Sequence, residues 1–289
     1  MLDVLDLPRW SGPFDAATRA HAAAQLEAGS VLTFPRLGFA LDEAEERAMR
    51  AAGDGSRKNI SRDPVTGHCR GSGLSGDALA ALTGAMARYA AAAQDLVLGL
   101  VPDYAPGLTC GRTSLRPVEI ATRTTSWRKD DKRLHVDAFP SRPQQGRRIL
   151  RIFANVDPAG TPRVWHLGPG FEAFAATFLP TLPRALPGQS WLLHRLGLTR
   201  SRRSRYDEIM LHLHDAAKRD LAWQRTAAVE EIAFPPGSVW MVFTDQVPHA
   251  ALSGCNALEQ TLYVAPEVLA APAQAPLAVL ERLCGRPLH

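Results

Sequence analysis

Apolar side chains recur every three or four positions between residues 77 and 100, which is the spacing of one face of an α-helix. Two shorter segments, 15–29 and 42–52, also have helical composition, and the apolar run 31–34 between them is typical of a strand. The longest stripe comprises Leu79, Leu82, Met86, Tyr89, Ala93, Leu96 and Leu100. We expect this stripe to pack against a sheet as part of the core.

After residue 108 the pattern changes to short runs of β type. Runs rich in β-branched and aromatic residues, bounded by Gly, Pro and Asp turns, predict strands. They cover residues 118–125, 147–156, 163–167, 230–234, 239–243 and 260–264. Helical and irregular sequence interrupts them over 171–223, and a short helix is predicted near 277–283.

This order of elements predicts an α+β protein with a mainly β core. Many short antiparallel strands with one helical insertion favour a double-stranded β-helix, the jelly-roll architecture of cupins, with flanking helices. We expect residues 1–289 to form a single domain. Its parts are an N-terminal helical and mixed region over 1–107, a jelly-roll core over 108–266 with the insertion at about 171–223, and a tail over 267–289.

Composition narrows the class of protein without identifying a function. The chain is 46% hydrophobic and 21% charged, which is ordinary for a globular protein. Residues 1–8 have no basic segment followed by an apolar run, so no signal peptide is predicted, and no apolar segment is long enough to span a bilayer. Cys69, Cys110, Cys255 and Cys284 are scattered, which predicts free thiols in the cytoplasm.

The net charge is only +4, so the placement of the cations matters more than their excess. One cluster comprises Arg195, Arg200, Arg202, Arg203 and Arg205. A second comprises Arg128, Lys129, Lys132 and Arg133, and the polar segment 53–76 adds Arg57, Lys58, Arg62 and Arg70. Such clusters predict an anionic partner, which can be lipid headgroups, nucleic acid or an acidic sugar. A solvated loop is the alternative for each cluster.

The step formed by His135 and Asp137 carries the clearest chemical signal. In a strand, residues two apart project from the same face, so this imidazole and carboxylate can bind one ion. His249 follows the apolar strand 239–243 and can supply a second imidazole. Two histidines and one carboxylate form the facial triad of non-haem Fe(II) oxygenases. We therefore expect His135, Asp137 and His249 to bind the metal and to form the catalytic centre.

A similar pair, His212 and His214, lies in the segment 208–218, whose composition favours a helix. Side chains two positions apart on a helix point roughly 200° apart. These histidines are therefore not expected to share a metal ion.

Five blocks of the sequence together resemble the Kdo 3-hydroxylases. They are residues 57–61, 126–131, 135–140, 146–151 and 244–249. Members of this family are Fe(II)- and 2-oxoglutarate-dependent dioxygenases of Gram-negative bacteria, and they act on the Kdo sugar attached to lipid A. The resemblance extends across most of the chain. It implies that this protein uses Fe(II), 2-oxoglutarate and O₂ to hydroxylate C3 of a Kdo residue of Kdo-lipid A, in the inner core of lipopolysaccharide.

The far carboxylate of 2-oxoglutarate requires a cation, because an unpaired buried carboxylate is strongly disfavoured. Many related oxygenases supply an Arg beyond the distal histidine, but residues 257–262 contain no Arg or Lys. On the strand 147–156, Arg151 and Asn155 share one face, and Arg148 lies on the other. We expect Arg151, with Asn155 beside it, to bind the cosubstrate, and Arg148 is the alternative.

The family likeness also suggests roles for the basic clusters. Arg57, Lys58, Arg128 and Lys129 are expected to bind anionic groups of the substrate. The arginines at 200–205 are expected to hold the enzyme as a peripheral protein on the inner face of the bacterial inner membrane, and no nucleic acid is expected as a partner. Two other hypotheses stay open. One is an oxygenase of the same fold that acts on another lipid or a small metabolite, and the other is a non-catalytic basic β-barrel that binds anionic lipid or nucleic acid.

Overall fold

Two sheets of short strands form the centre of the protein. The computed structural model describes residues 1–53, 59–183 and 188–288. The strands are β1 (Leu2–Val4), β2 (Val31–Phe34), β3 (Ile60–Arg62), β4 (Cys69–Arg70), β5 (Leu108–Arg116), β6 (Arg148–Asn155), β7 (Arg163–Leu167), β8 (Glu230–Phe234), β9 (Val239–Phe243), β10 (His249–Ser253) and β11 (Ala257–Val264). The larger sheet has the order β1-β2-β9-β6-β11-β5-β3-β4, and the smaller sheet has the order β10-β7-β8. The predicted mixed fold with a large β component is confirmed.

Helices cover the larger sheet and flank the smaller one. They are α1 (Ala16–Glu27), α2 (Glu43–Gly53), α3 (Gly76–Leu100), α4 (Phe171–Phe178), α5 (Gln189–Arg195), α6 (Arg205–Arg219), α7 (Leu221–Thr226) and α8 (Pro276–Cys284). Short 3₁₀-helices lie at Pro102–Gly107, Trp127–Lys129, Leu179–Thr181, Pro266–Val268 and Pro272–Gln274. Within the described ranges, no helix is both long enough and apolar enough to cross a bilayer.

The larger sheet is buried on both faces. The apolar stripe of α3 packs on one face, where Leu82, Met86 and Leu96 belong to the same core as Ile152. The Tyr89 hydroxyl donates a hydrogen bond to the Ile152 carbonyl oxygen at 2.9 Å, which satisfies this buried phenol. The predicted long helix and its packing are confirmed. The opposite face of the sheet contacts the smaller sheet through aromatic side chains.

The antiparallel pair of β6 and β11 sets the position of the functional residues. Their register runs from Ala257 opposite Asn155 to Val264 opposite Arg148. Every residue of β6 is buried, so the side chains on its two faces enter different environments. One face of β6 meets the helices, and the other faces the space between the sheets.

Two predicted elements differ from the structure. Residues 118–125 form turns and irregular backbone instead of a strand, because β5 ends at Arg116 and the next residue, Pro117, has no amide proton for a sheet. The second difference concerns His249, which was expected at the far end of the strand 239–243. It begins β10, after a turn over residues 244–248.

A buried carboxylate joins the first helix to the C-terminal region. Glu27, at the end of α1, accepts hydrogen bonds from the Tyr104 hydroxyl and from the backbone amides of Ala270 and Ala271. Only 1% of this residue is exposed, so the three donors replace the water that the carboxylate loses on folding. The four cysteines are free thiols, as expected.

Candidate active site

The His-x-Asp step and a histidine more than 100 positions further along the chain meet between the two sheets. One ligand atom from each of His135, Asp137 and His249 lies within 4.8 Å of the others. His135 and His249 are opposite one another as an isolated antiparallel pair, and their backbones exchange two hydrogen bonds of 3.0 and 2.9 Å. The Asp137 amide donates to the Thr244 carbonyl oxygen at 2.8 Å, which fixes the second half of the His-x-Asp step. The backbone therefore holds the three residues close together.

Both histidines are held in the same tautomer by local hydrogen bonds. His135 Nδ1 lies 2.8 Å from the Arg133 carbonyl oxygen, and His249 Nδ1 lies 2.8 Å from the Val247 carbonyl oxygen. A carbonyl oxygen only accepts, so Nδ1 carries the proton in each ring and donates it. The lone pair of each ring is then on Nε2. Such a backbone acceptor is the usual way in which a metal-binding histidine is oriented.

Asp137 is a buried anion with an unsatisfied oxygen. Burial alone would raise the pKa of its carboxyl group, but Arg151, His249 and His135 outweigh that effect and hold the pKa below its usual value. Oδ2 of Asp137 has no hydrogen-bond partner among the described residues, although it forms an ion pair with Arg151 Nη1 at 3.1 Å. A buried carboxylate oxygen without a hydrogen bond is costly unless it binds a cation.

The histidines are neutral at physiological pH. Burial, His249 and Lys218 lower the pKa of His135 well below its ordinary value, and burial likewise lowers the pKa of His249. Two neutral imidazoles, each with a free Nε2, and one ionised carboxylate form the donor set of a divalent metal site. The residues present therefore fit a facial triad for Fe(II).

Aromatic rings support the two histidines from opposite sides. The Trp165 ring stacks on His249 with centroids 5.2 Å apart and an angle of 20° between the planes. His214 contacts His135 edge-on, with centroids 5.3 Å apart. His212 and His214 both lie on α6, so the expectation of a helix there is confirmed. His214 is nevertheless close to the centre, where it packs against a proposed ligand.

A cavity of about 620 Å³ opens beside the three residues. Its described lining contains eight cationic side chains and four carboxylates. The cations are Arg112, Arg116, Arg128, Lys129, Arg142, Arg151, Arg163 and Lys218, and the carboxylates are Asp131, Asp137, Asp215 and Glu259. A positive, partly enclosed cavity attracts anionic small molecules.

The predicted cosubstrate residues separate into two groups. Arg151 lines the cavity beside Asp137 and forms a second ion pair with Glu259 at 3.4 Å. Arg148 is on the opposite face of β6, where it is bound to Asp245 and Gln246 and does not line the cavity. Its guanidinium is fully buried on that face, so the structure places Arg148 apart from the cavity beside Asp137.

The side chain of Asn155 is likewise hydrogen-bonded outside the cavity. Its side-chain amide donates to the carbonyl oxygens of Thr161 and Phe234, and its Oδ1 accepts from the Asp157 amide. All three bonds tie the end of β6 to neighbouring turns, and Asn155 is not part of the cavity lining. The shared face with Arg151 was correctly predicted, but Asn155 lies beyond the end of the cavity.

Two of the four cations predicted to bind substrate can be located in the structure. Arg128 and Lys129 line the cavity, and Arg128 is held by Asp215 at 2.9 Å and by the Trp127 ring. Arg57 and Lys58 lie outside the described residues.

Comparison with known proteins decides the family. The sequence profile described as 3-deoxy-D-manno-oct-2-ulosonic acid (Kdo) hydroxylase matches residues 9–287. The chain belongs to the Kdo hydroxylase family. The resemblance identified from the sequence blocks is confirmed. No curated protein sequence matches the chain.

Solved structures of the Kdo hydroxylase family are close to this fold. One is the crystal structure of the Kdo hydroxylase KdoO, a non-haem Fe(II) α-ketoglutarate-dependent dioxygenase, in complex with α-ketoglutarate and Fe(III). It is 41% identical, with a TM-score of 0.95 over 99% of this chain and 97% of that chain. The apo structure of KdoO is 42% identical, with the same TM-score and coverage.

Several cavity residues of this Kdo hydroxylase family member were missed from the sequence. Arg163 is buried on β7, and its Nη1 donates to the Gly254 carbonyl oxygen while its Nε has no partner among the described residues. Glu259 on β11 binds Arg116 at 2.7 Å as well as Arg151. The sequence pattern that could have indicated Arg163 is its spacing of two and four positions from Trp165 and Leu167. All three residues are buried on one face of β7.

Proposed function

We propose that this protein is an Fe(II)- and 2-oxoglutarate-dependent dioxygenase that hydroxylates C3 of a Kdo residue of Kdo-lipid A. The observation that carries this proposal is the group formed by His135, Asp137 and His249, which is buried beside a cation-rich cavity. Membership of the Kdo hydroxylase family supports the substrate class. In KdoO, the related structures contain Fe(III) with α-ketoglutarate or with succinate.

In this proposal His135, Asp137 and His249 hold the iron and are the catalytic centre. The chemistry supplied by bound iron is the coupling of 2-oxoglutarate decarboxylation to insertion of one oxygen atom of O₂ into a substrate C–H bond, with succinate and CO₂ as co-products. The protein orients the imidazoles through their Nδ1 protons and excludes water from the ligands by burial.

Two arginines on the cavity wall are candidates for the far carboxylate of 2-oxoglutarate. Arg151, expected from the sequence, already has Asp137 and Glu259 as ion-pair partners. Arg163 forms no ion pair within the described parts of the chain, and burial and Arg116 lower its pKa only to about 10, so it stays charged. We propose Arg163 as the main anchor, with Arg151 beside the metal, because a buried unpaired guanidinium gains most from a carboxylate.

The remaining cavity cations suit an acidic sugar. Kdo is an ulosonic acid, so its carboxylate needs a cationic partner when it leaves water. Arg128 and Lys129 lie on the wall formed by the 3₁₀ turn and α6, and we propose that they bind the substrate. The sequence-based proposal for Arg57 and Lys58 is retained.

The strand pairing supports the jelly-roll assignment. β5, β11, β6 and β9 form one antiparallel layer, and β10, β7 and β8 form the other, with His135 paired to β10. Two facing antiparallel layers of this kind are typical of a double-stranded β-helix, which supports the proposal. We propose that residues 1–289 form one dioxygenase domain of this type, which acts in the cytoplasm as a peripheral protein on the inner face of the inner membrane.

The direct test supplies Fe(II)-loaded protein with O₂, 2-oxoglutarate and Kdo-lipid A. We expect release of succinate and gain of one oxygen atom at C3 of a Kdo residue, located by fragmentation mass spectrometry. Oxygen found on an acyl chain would favour an oxygenase of the same fold with another substrate. Failure to bind iron tightly would favour the non-catalytic barrel.

A further inference from the structure

Exposed apolar side chains are concentrated in one short segment. Trp191, Leu192, Leu196 and Leu198 are between 51% and 62% exposed. We call these four residues the apolar tip. Other large exposed apolar residues of the described chain are scattered along the sequence, as is normal for a protein surface. Four within eight positions, including a tryptophan, is a concentration that suggests a contact surface.

Local hydrogen bonds hold the apolar tip in one conformation. The amide of Leu196 donates to the Leu192 carbonyl oxygen, and the amide of Leu198 donates to that of Leu193, both at 3.0 Å. Gly197 between them has a φ of +69°, a left-handed conformation that ends α5 and turns the chain back. The backbone of this segment is therefore already ordered by intramolecular hydrogen bonds before any partner binds.

Three arginines that neighbour the apolar tip in sequence have no side-chain partner among the described residues. Arg195, Arg200 and Arg202 are exposed, and none of them forms a side-chain ion pair or hydrogen bond with the described residues. We call these three the cationic rim. Two other members of the predicted arginine cluster are engaged elsewhere, since Arg203 donates to the Pro140 carbonyl oxygen and Arg205 binds Glu208. The expected docking cluster therefore loses Arg203 and Arg205, its last two members, and gains Arg195.

The segment that directly follows the apolar tip is hydrogen-bonded to the cavity wall. The Arg200 amide donates to the Ser141 carbonyl oxygen at 3.0 Å, and Arg203 donates to the Pro140 carbonyl oxygen at 2.6 Å. Pro140 and Ser141 both line the cavity. A partner bound at the apolar tip therefore lies only a few residues along the chain from the hydrogen bonds to the cavity wall.

We propose that the apolar tip inserts into the headgroup region of an anionic phospholipid bilayer while the cationic rim binds lipid phosphates. Tryptophan is enriched at that depth, and an apolar centre with a cationic border combines the two forces that hold peripheral proteins on anionic membranes. This inference rests on the proposed function, since it places the cavity where a lipid-linked sugar is displayed. The unpaired rim favours a lipid surface over a second copy of this basic chain, which would repel it.

The test measures binding to vesicles of phosphatidylglycerol and phosphatidylethanolamine and to vesicles of phosphatidylcholine. Replacing Arg195, Arg200 and Arg202 by Gln should weaken binding to the anionic vesicles on the order of 100-fold at low salt. Replacing the four residues of the apolar tip by Ser should weaken it roughly 10-fold or more, at high salt as well. A control variant, Val65→Ser/Val229→Ser/Leu283→Ser, changes exposed apolar residues outside the segment and should bind like the wild type.

Depth of insertion gives a second readout. Lipids brominated in their acyl chains should quench part of the wild-type tryptophan fluorescence, and Trp191→Phe should abolish this quenching while retaining most of the binding. Wild-type affinity in the Ser variant would overturn the proposal. The proposal would also be overturned if the wild-type protein bound neither type of vesicle and instead formed dimers that the Ser variant does not form.

Activity separates this inference from the proposed function. The Ser variant should hydroxylate detergent-dispersed Kdo-lipid A at the wild-type rate but lose at least about 10-fold in kcat/KM on vesicle-embedded substrate. Equal loss in both assays would overturn the membrane role of the apolar tip. If the wild type binds vesicles but oxidises no Kdo substrate, the docking surface stands and the proposed function fails.

Discussion

The indole ring of Trp165 lies almost parallel to the imidazole of His249, with 5.2 Å between the ring centroids. Trp165 is on the inward face of β7, opposite Ala251 of β10, the strand that His249 begins. The stack fixes the plane of the imidazole, while the Val247 carbonyl oxygen fixes which nitrogen carries the proton. His249 is thus held by one apolar and one polar contact.

Removing the stacked ring should weaken metal binding. Trp165→Ala is expected to reduce the affinity for Co(II) or Fe(II) by about 10-fold, because groups that orient a ligand contribute on that scale. It should also destabilise the fold by about 3–5 kcal/mol, since a buried indole leaves a cavity. Trp165→Phe is the matched control, because the indole Nε1 has no hydrogen-bond partner among the described residues. Isothermal titration with Co(II) gives the affinity, and unchanged binding by Trp165→Ala would contradict this role.

The metal assignment is tested by ligand removal. Asp137→Ala should lose measurable iron binding and turnover, while its far-UV circular dichroism stays like that of the wild type. His212→Ala is the control on α6 and should retain the iron affinity, because His212 lies outside the cavity lining. Full activity in Asp137→Ala, or loss of iron in His212→Ala, would show that other residues hold the metal.

The two candidate anchors for 2-oxoglutarate should differ in kinetics. Arg163→Met should raise the KM for 2-oxoglutarate by about 100-fold, a loss of close to 3 kcal/mol, as expected for a charge-assisted pair in a buried site. Arg151→Met should lower kcat as well, since it leaves Asp137 and Glu259 without their shared cation. Steady-state assays with varied 2-oxoglutarate separate these outcomes. A normal KM in Arg163→Met with a raised KM in Arg151→Met would return the role to Arg151.

Arg148 should matter for stability alone. Arg148→Met leaves Asp245 buried without its partner, which should cost about 3–5 kcal/mol in the free energy of unfolding. The double variant Arg148→Met/Asp245→Leu should recover much of that loss, because no buried charge remains. Urea unfolding measures both variants. The KM for 2-oxoglutarate should be unchanged wherever the fold persists, and a large rise would restore Arg148 as a cosubstrate residue.

Stability of the metal-free protein should depend on pH through the two histidines. Their pKa values are lowered on folding by burial, so below about pH 6.5 the unfolded chain binds more protons than the folded one. Their stabilising contribution is therefore present above about pH 6.5 and is lost as the pH falls. Thermal unfolding measured from about pH 7.5 to about pH 5.5, a range that spans the ordinary histidine pKa, should show this decline. His135→Gln/His249→Gln should flatten it, and an equally steep decline in that variant would assign it to other groups.

Local patterns predicted the framework of the protein well. The period of α3, the alternation in β7 and β8 and the continuous apolar run of β9 follow directly from which side chains must be buried. These elements were therefore predicted close to their observed bounds. The two histidines could be paired with Asp137 because a facial triad has a small set of ligand types. Each of these features is determined by residues near one another in sequence or by a fixed chemical requirement.

Features that depend on distant partners were not predictable. Arg148 and Arg151 look alike in sequence. Only the placement of Asp245 in the turn after β9 and of Glu259 on β11 separates a structural cation from one in the cavity. Similarly, Asn155 had a suitable side chain on the correct face, but the carbonyl oxygens of Thr161 and Phe234 bind it. A single sequence contains no record of these long-range contacts.

The hydrogen bonds to Glu27 impose an order on biosynthesis. Its partner at Ala270 lies 243 positions further along the chain, so α1 is made long before the amides that it needs are available. At about 5 to 20 residues per second of synthesis, this delay is about 12 to 50 s. During that interval the carboxylate has to remain hydrated, because burial without donors is unfavourable. We therefore expect Glu27 to become fully buried only after the segment that contains Ala270 and Ala271 has left the ribosome.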